Sequence, residues 1–224
     1  MHRFIKENSL SIVFALLFVA ALAGQAFAGW QQLNDELFAE DLHQLSLGRY
    51  LTSADFAVDV TENWQSEYLQ FLLYIVFTVW LLQRGSPESK PLHKTGEESD
   101  EAQKVGDHSR DDSPRLARVG GIRTALYSRS LGIVMGAIFL LSWLVQSVAG
   151  WAAYNETRLQ QLRDPIPWGS YLMNADFWAR TLQNWQSEFL AVGSMAVLAI
   201  YLRQRGSPES KPVGAPHDAT GVEG

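Results

Sequence analysis

The chain has 224 residues, 47% of them hydrophobic, with a formal net charge of −6 and no cysteine. Its length fits one domain or two small ones. The acidic balance argues against a nucleic-acid-binding face, and the absence of thiols excludes disulfides, thiolate metal sites and a cysteine nucleophile.

Residues 1–8 carry Arg3 and Lys6 ahead of an apolar run from Leu10 to Trp30. The charged start, the hydrophobic middle and Ala26-Phe27-Ala28 before Gly29 match a cleavable secretory signal. A run of about 20 apolar residues equally matches a retained span across a ~30 Å hydrocarbon core. An internal repeat bears on the choice. Ser9–Pro91 aligns without a gap on Ser130–Pro212, offset by about 121 residues and with roughly 40% of the pairs identical. The second copy of the run, Leu131–Trp151, is internal and cannot be an N-terminal signal, which favours retention of the first. N-terminal sequencing of the mature protein decides between them.

Gln31 to Glu62 is acidic, with Arg49 its only basic residue. Leu33, Leu37, Phe38 and Leu42 recur at near-helical spacing and predict that the first helix continues beyond the membrane as a stalk. Ser53 and Asn174 are good N-caps, and Asp55 and Asp176 suit the positive end of a helix. Capping explains these carboxylates more simply than acid–base or metal chemistry. A helix is predicted from about Ala54 to Arg84, ~46 Å long, with its first turns outside the membrane and Trp64 and Trp185 marking the boundary. Arg84-Gly85-Ser86-Pro87 supplies a cation, a C′ glycine and a proline to stop it.

Residues 1–91 thus form a first repeat with spans of about 10–30 and 64–84. Residues 92–128 read as a solvated, disordered linker. A second repeat follows at 129–212, with spans of about 131–151 and 185–203, and 213–224 is a polar tail. Lys and Arg concentrate at the two ends and in the linker, whereas the remaining loops hold only Arg49, Arg158, Arg163 and Arg180. By the positive-inside rule both termini and the linker are cytoplasmic. The fold class expected is an all-α membrane protein with four transmembrane helices. They form two tandem helical hairpins, related as parallel repeats, with helical extensions outside.

Glu67 and Glu188 each lie about one turn inside a boundary tryptophan, and ionisable groups within spans mark functional sites by default. Against this, a carboxylate near the interface can simply reach water. Gln25 and Gln146 fall at similar depth on the preceding spans. The expectation is that Gln25 meets Glu67 and Gln146 meets Glu188 through interhelical hydrogen bonds worth on the order of 1 kcal/mol, enough to fix register. Asn63, Glu67, Gln70, Tyr74 and Thr78 make a polar stripe, but the second copy has Ala191, Met195 and Ala199 at the last three places. Helix packing explains the stripe better than a two-sided water path. Arg84, Lys90, Arg205 and Lys211 are candidate contacts for anionic lipid head groups. The plainer alternative is a helix stop with snorkelling cations. Ser86-Pro87 and Ser207-Pro208 would suit phosphorylation. The five histidines are scattered, and no phosphate loop, nucleophile elbow or zinc-helix motif occurs. Neither cofactor nor metal is indicated.

Three motifs carry a resemblance: Gly150-Trp151-Ala152-Ala153-Tyr154-Asn155, the twice-used Asn-Trp-Gln-Ser-Glu, and the twice-used Arg-Gly-Ser-Pro-Glu-Ser-Lys. With them the chain resembles a family of uncharacterised bacterial integral-membrane proteins, a domain of unknown function. The first copy departs from the pattern at Leu33, where the second has Tyr154. The resemblance implies a four-span membrane protein and brings no activity with it. The role expected is structural, accessory or interaction-related in the bacterial cytoplasmic (inner) membrane, with the lipid bilayer, a second copy or another membrane protein as partner. The alternative is a small transporter or channel using the Glu/Gln layer for ions or protons, and an enzyme ranks third.

Overall fold

A computed structural model describes residues 2–222, and every regular element among them is helical. In chain order these are α1 (His2–Glu7), α2 (Ser9–Ala39), α3 (Leu47–Tyr50), α4 (Ala54–Trp80), α5 (Asp100–Gln103), a 3-10 turn (Gly106–His108), α6 (Arg115–Arg118), α7 (Gly121–Ser128), α8 (Ser130–Gln160), α9 (Trp168–Tyr171) and α10 (Ala175–Tyr201). Matching stretches of sequence give matching elements. Helices α2 and α8 have 31 residues each, α4 and α10 have 27, and the four-residue helices α3 and α9 lie between.

The starts of α4 and α10 fall where the caps place them. Ser53 Oγ accepts from the Phe56 N–H at 3.2 Å, and Asn174 Oδ1 accepts from the Asp176 N–H at 2.9 Å. Their ends come early, at Trp80 and Tyr201 instead of Arg84 and Arg203. The cause is competition for the last carbonyls, which helices leave without intrahelical donors. The Gly96 N–H donates to the Val79 carbonyl at 2.8 Å, while Arg203 and the His217 ring reach the Ile200 carbonyl at 3.0 and 3.1 Å. Consequently the apolar parts of these helices, from Leu69 and from Phe189, run about 12 residues or ~18 Å, well below ~30 Å. Among the described residues, two helices and not four are long and apolar enough to cross a membrane: α2 and α8.

Segment 92–128, expected as a disordered tether, holds α5, the 3-10 turn, α6 and α7. The Arg129 guanidinium binds both carboxylate oxygens of Glu97 at 3.1 Å, and the Thr124 hydroxyl donates to the Leu116 carbonyl at 2.7 Å.

The chain divides into two compact units: the chain up to Val60 with Val145–Trp168, and Thr61–Leu144 with the chain from Gly169 onward. The first unit is built on one clasp used twice. Asn34 donates to the Leu45 carbonyl at 3.0 Å and accepts from the Leu45 N–H at 2.7 Å, and the Trp30 indole donates to the same carbonyl at 2.7 Å. Asn155, Ile166 and Trp151 repeat it at 2.9, 2.9 and 2.7 Å. Between the partners each helix ends in a Schellman motif, with Asp41 (φ 56°) and Leu162 (φ 58°) in the left-handed region usually given to glycine. Tyr50 is buried beside Gly29, where an added Cβ would sit 2.1 Å from the phenol oxygen. Burial, then the charges of Asp59 and Asp55, raises the Tyr50 pKa.

Candidate functional site

Within the second unit the two Asn-Trp-Gln-Ser-Glu motifs meet. In the first copy Gln65 and Ser66 are buried, whereas Gln186 and Ser187 of the second are exposed. The Trp185 indole donates to Gln65 Oε1 at 2.8 Å, and the Gln65 amide donates to the Glu62 carbonyl at 3.1 Å. The Ser66 hydroxyl donates to the Asn63 carbonyl at 2.9 Å, and it lies near the Glu188 carboxylate. Glu67 lies close enough for its charge to act on Glu188. Gln25 and Gln146 belong to the other unit, where Gln146 is buried and Gln25 half-buried.

Toward the N-terminal end of α10, Arg180 pairs with Glu62 at 3.2 Å and with Asp176 at 3.6 Å, and the Tyr171 hydroxyl donates to Asp176 at 2.9 Å. Burial, then the Asp176 charge, pushes the Tyr171 pKa far up. Beneath lies an aromatic cluster on Trp143, stacked between Phe139 (5.6 Å) and Phe177 (6.1 Å) and tilted against Trp185 (5.8 Å). These contacts fix where Trp185 and Glu188 sit.

The two Arg-Gly-Ser-Pro-Glu-Ser-Lys boxes fold alike. Ser89 and Ser210 accept from the backbone N–H of Gln83 and Gln204 at 3.0 and 2.9 Å. Gly85 (φ 85°) and Gly206 (φ 81°) make the turn. Each box lysine clasps the chain six residues on. Lys90 donates to the Gly96 carbonyl at 2.9 Å and pairs with Glu98 at 3.4 Å. Lys211 is 1% exposed and donates to the carbonyls of Pro216 (3.2 Å), His217 (2.8 Å) and Ala219 (3.3 Å). Burial and the nearby Arg203 charge hold the Lys211 pKa below the ordinary lysine value, against the pull of Asp218. Both ammonium groups are thus turned toward the protein's own carbonyls, while Arg84 and Arg205 stay exposed. Ser86 is buried, and Ser207 accepts from the Glu209 N–H at 3.2 Å.

The polar tail lies on both boxes. Thr220 accepts from the Gly85 N–H at 2.8 Å, the Gly221 N–H donates to the Ser86 carbonyl at 3.0 Å, and Arg203 donates to the Ala215 carbonyl at 3.0 Å. The Tyr74 hydroxyl donates to the Glu88 carboxylate, and burial, then Glu209, pushes the Glu88 pKa up to about 7. This tyrosine contact was not foreseen from sequence. The available signal was that Tyr74 belongs to the polar stripe that runs toward the first box.

Among the described residues, no group of three His, Asp or Glu is placed to hold a metal ion. No curated protein and no solved structure matches the chain. The chain belongs to the family described as a domain of unknown function, DUF6766, which matches residues 1–222.

Proposed function

We propose a multi-pass protein of the bacterial cytoplasmic membrane with a structural, accessory or interaction role and no catalytic one. The observation that carries this reading is the apolar run of α2, none of which is buried. So much contiguous apolar surface is unfavourable in water and suits lipid. Four crossings, with both termini and the linker inside, follow if the boxes sit within the inner head-group layer. Leu81 and Leu82 would then extend the short apolar ends of α4, and Arg84 and Arg205 would reach phosphate.

Single cysteines on the cysteine-free chain test the topology at Gln44, Thr95, Gln161 and Val213, all exposed. Four crossings place Gln44→Cys and Gln161→Cys outside, with Thr95→Cys and Val213→Cys inside. An impermeant thiol reagent reaching Thr95→Cys from outside would mean that only α2 and α8 cross.

A small transporter for ions or protons is the second reading, favoured by the Glu67–Glu188 pair beside Ser66. On that reading, flux in proteoliposomes should fall about tenfold or more in Glu67→Gln/Glu188→Gln. Equal flux in the variant and in the parent protein removes it.

A further inference from the structure

Residues 113–130 stand against the acidic balance of the chain. They hold four arginines, Arg115, Arg118, Arg123 and Arg129, and no Asp, Glu or Lys, in a chain whose net charge is −6. The stretch folds into a small hairpin. Gly120 (φ 75°) and Gly121 (φ 62°) make the turn between α6 and α7, in a backbone region that other residues rarely adopt. Ala117 and Thr124 are buried on its inner side, where the Thr124 hydroxyl holds the Leu116 carbonyl at 2.7 Å.

The outer side is apolar and basic. Ile122 and Leu126 lie one turn apart, roughly opposite Thr124 on α7, and are 76% and 55% exposed. Arg123 and Tyr127, both exposed, follow them about 100° round the helix. Leu116 and Val119 add two more exposed apolar side chains beside Arg115 and Arg118. Among the described residues, none of Arg115, Arg118 and Arg123 forms an ion pair. Arg129 alone is engaged, by Glu97. It is also the single residue that separates α7 from α8, with φ −117° and ψ 7°, and the Ser130 hydroxyl braces the junction on the Tyr127 carbonyl at 2.8 Å.

We propose that the outer face of the α6–α7 hairpin docks on the anionic head groups of the membrane that α8 crosses. Ile122 and Leu126 enter the boundary between head groups and acyl chains, and Arg115, Arg118 and Arg123 take lipid phosphate. The proposal rests on α8 crossing the bilayer, as read above. Charge and continuity choose the occupant. The apolar run of α8 begins at Leu131, two residues after Arg129, so a bilayer around α8 brings both phosphate and an apolar layer next to this face. Basic amphipathic segments beside a span bind anionic lipid in this way, each arginine near the surface strengthening the contact about fivefold. An unbroken helix would carry Ile122 ~13 Å above Leu131, past a head-group layer of ~5–8 Å. The break at Arg129 removes that requirement.

Nitroxides on single cysteines of the full chain in nanodiscs report depth through collisions with oxygen, which favours lipid, and with a nickel chelate, which stays in water. In bilayers containing phosphatidylglycerol, labels at Ile122→Cys and Leu126→Cys should favour oxygen, as should Leu141→Cys on the exposed apolar run of α8. The exposed Asp111→Cys should favour nickel. Adding Arg115→Gln/Arg118→Gln/Arg123→Gln should lower the docked-to-free ratio at Ile122→Cys about a hundredfold, and pure phosphatidylcholine should move the same label toward water, with Leu141→Cys unmoved in both cases. If Ile122→Cys faces water while Leu141→Cys stays in lipid, the docking is wrong and the membrane reading stands. If both face water, both are wrong. An Ile122→Cys label equally deep in the triple variant overturns the head-group contact. So does dipolar broadening that vanishes on dilution with unlabelled chain, which would put a second copy on this face.

Discussion

Asn155→Ala should lower the thermal midpoint of the detergent-solubilised protein by about 5–10 °C, and Asn34→Ala by a similar amount. A primary amide holds its donor and its acceptor on separate atoms, so it can donate to a carbonyl and accept from the N–H of the same residue, as these two do at Ile166 and Leu45. After truncation the carbonyl keeps its tryptophan donor, Trp151 or Trp30, but the N–H loses its acceptor. Leaving that part-buried donor unsatisfied costs about 2–3 kcal/mol with the lost bonds included. Asn155→Asp separates the contributions, since it keeps an acceptor for the N–H and loses the donor. It should fall between parent and alanine. Intrinsic tryptophan fluorescence on heating reads all of these, and a shift under 1 °C in both alanine variants would show that the clasp does not hold its unit together.

What the sequence made legible divides by range. The starts of α4 and α10 were legible because a cap is local: Ser53 and Asn174 act within three residues of themselves. The long apolar helices α2 and α8 were legible for the same reason, as continuous runs. Helix ends were not, since Gly96 and His217 take the terminal carbonyls of α4 and α10 from 17 residues downstream, and no periodicity carries that information. Identical motifs here have different environments: Gln65 is buried against Trp185 while Gln186 is exposed.

Departures between the copies were the better signal. Asp59 of the first repeat is Arg180 in the second, and that arginine crosses to Glu62. Leu22 is replaced by Trp143, the centre of the aromatic cluster. Asn34 and Asn155, in contrast, stay the same among neighbours that differ, as two copies of one clasp require. The boxes were legible as helix stops and as cation-bearing segments. Where their lysines point depends on the Gly96 and tail carbonyls, which the motif does not contain.

Lys211→Met should release the tail. The ammonium donates three hydrogen bonds at 1% exposure, and hydrogen bonds from a charged donor contribute about 1.5–3 kcal/mol each before desolvation is subtracted. Burial already works against the charge, as the lowered pKa indicates, so the net contribution is on the order of 3 kcal/mol and not the sum of three bonds. Methionine fills the stem's volume and leaves the carbonyls of Pro216, His217 and Ala219 without their donor. Backbone amides of residues 213–222 should then exchange with deuterium about a hundredfold faster, while α2 and α8 exchange as before, because the loss is local. Lys211→Arg should rescue little, since a planar guanidinium cannot turn three donors toward one ring of carbonyls in the space an ammonium fills. Lys90→Met provides the contrast. Lys90 is 25% exposed and holds one carbonyl and one exposed carboxylate, so its loss should cost about 1 kcal/mol or less. If Lys211→Met instead leaves exchange in the tail unchanged and weakens binding to anionic vesicles, the ammonium serves lipid phosphate and the carbonyl basket does not hold it.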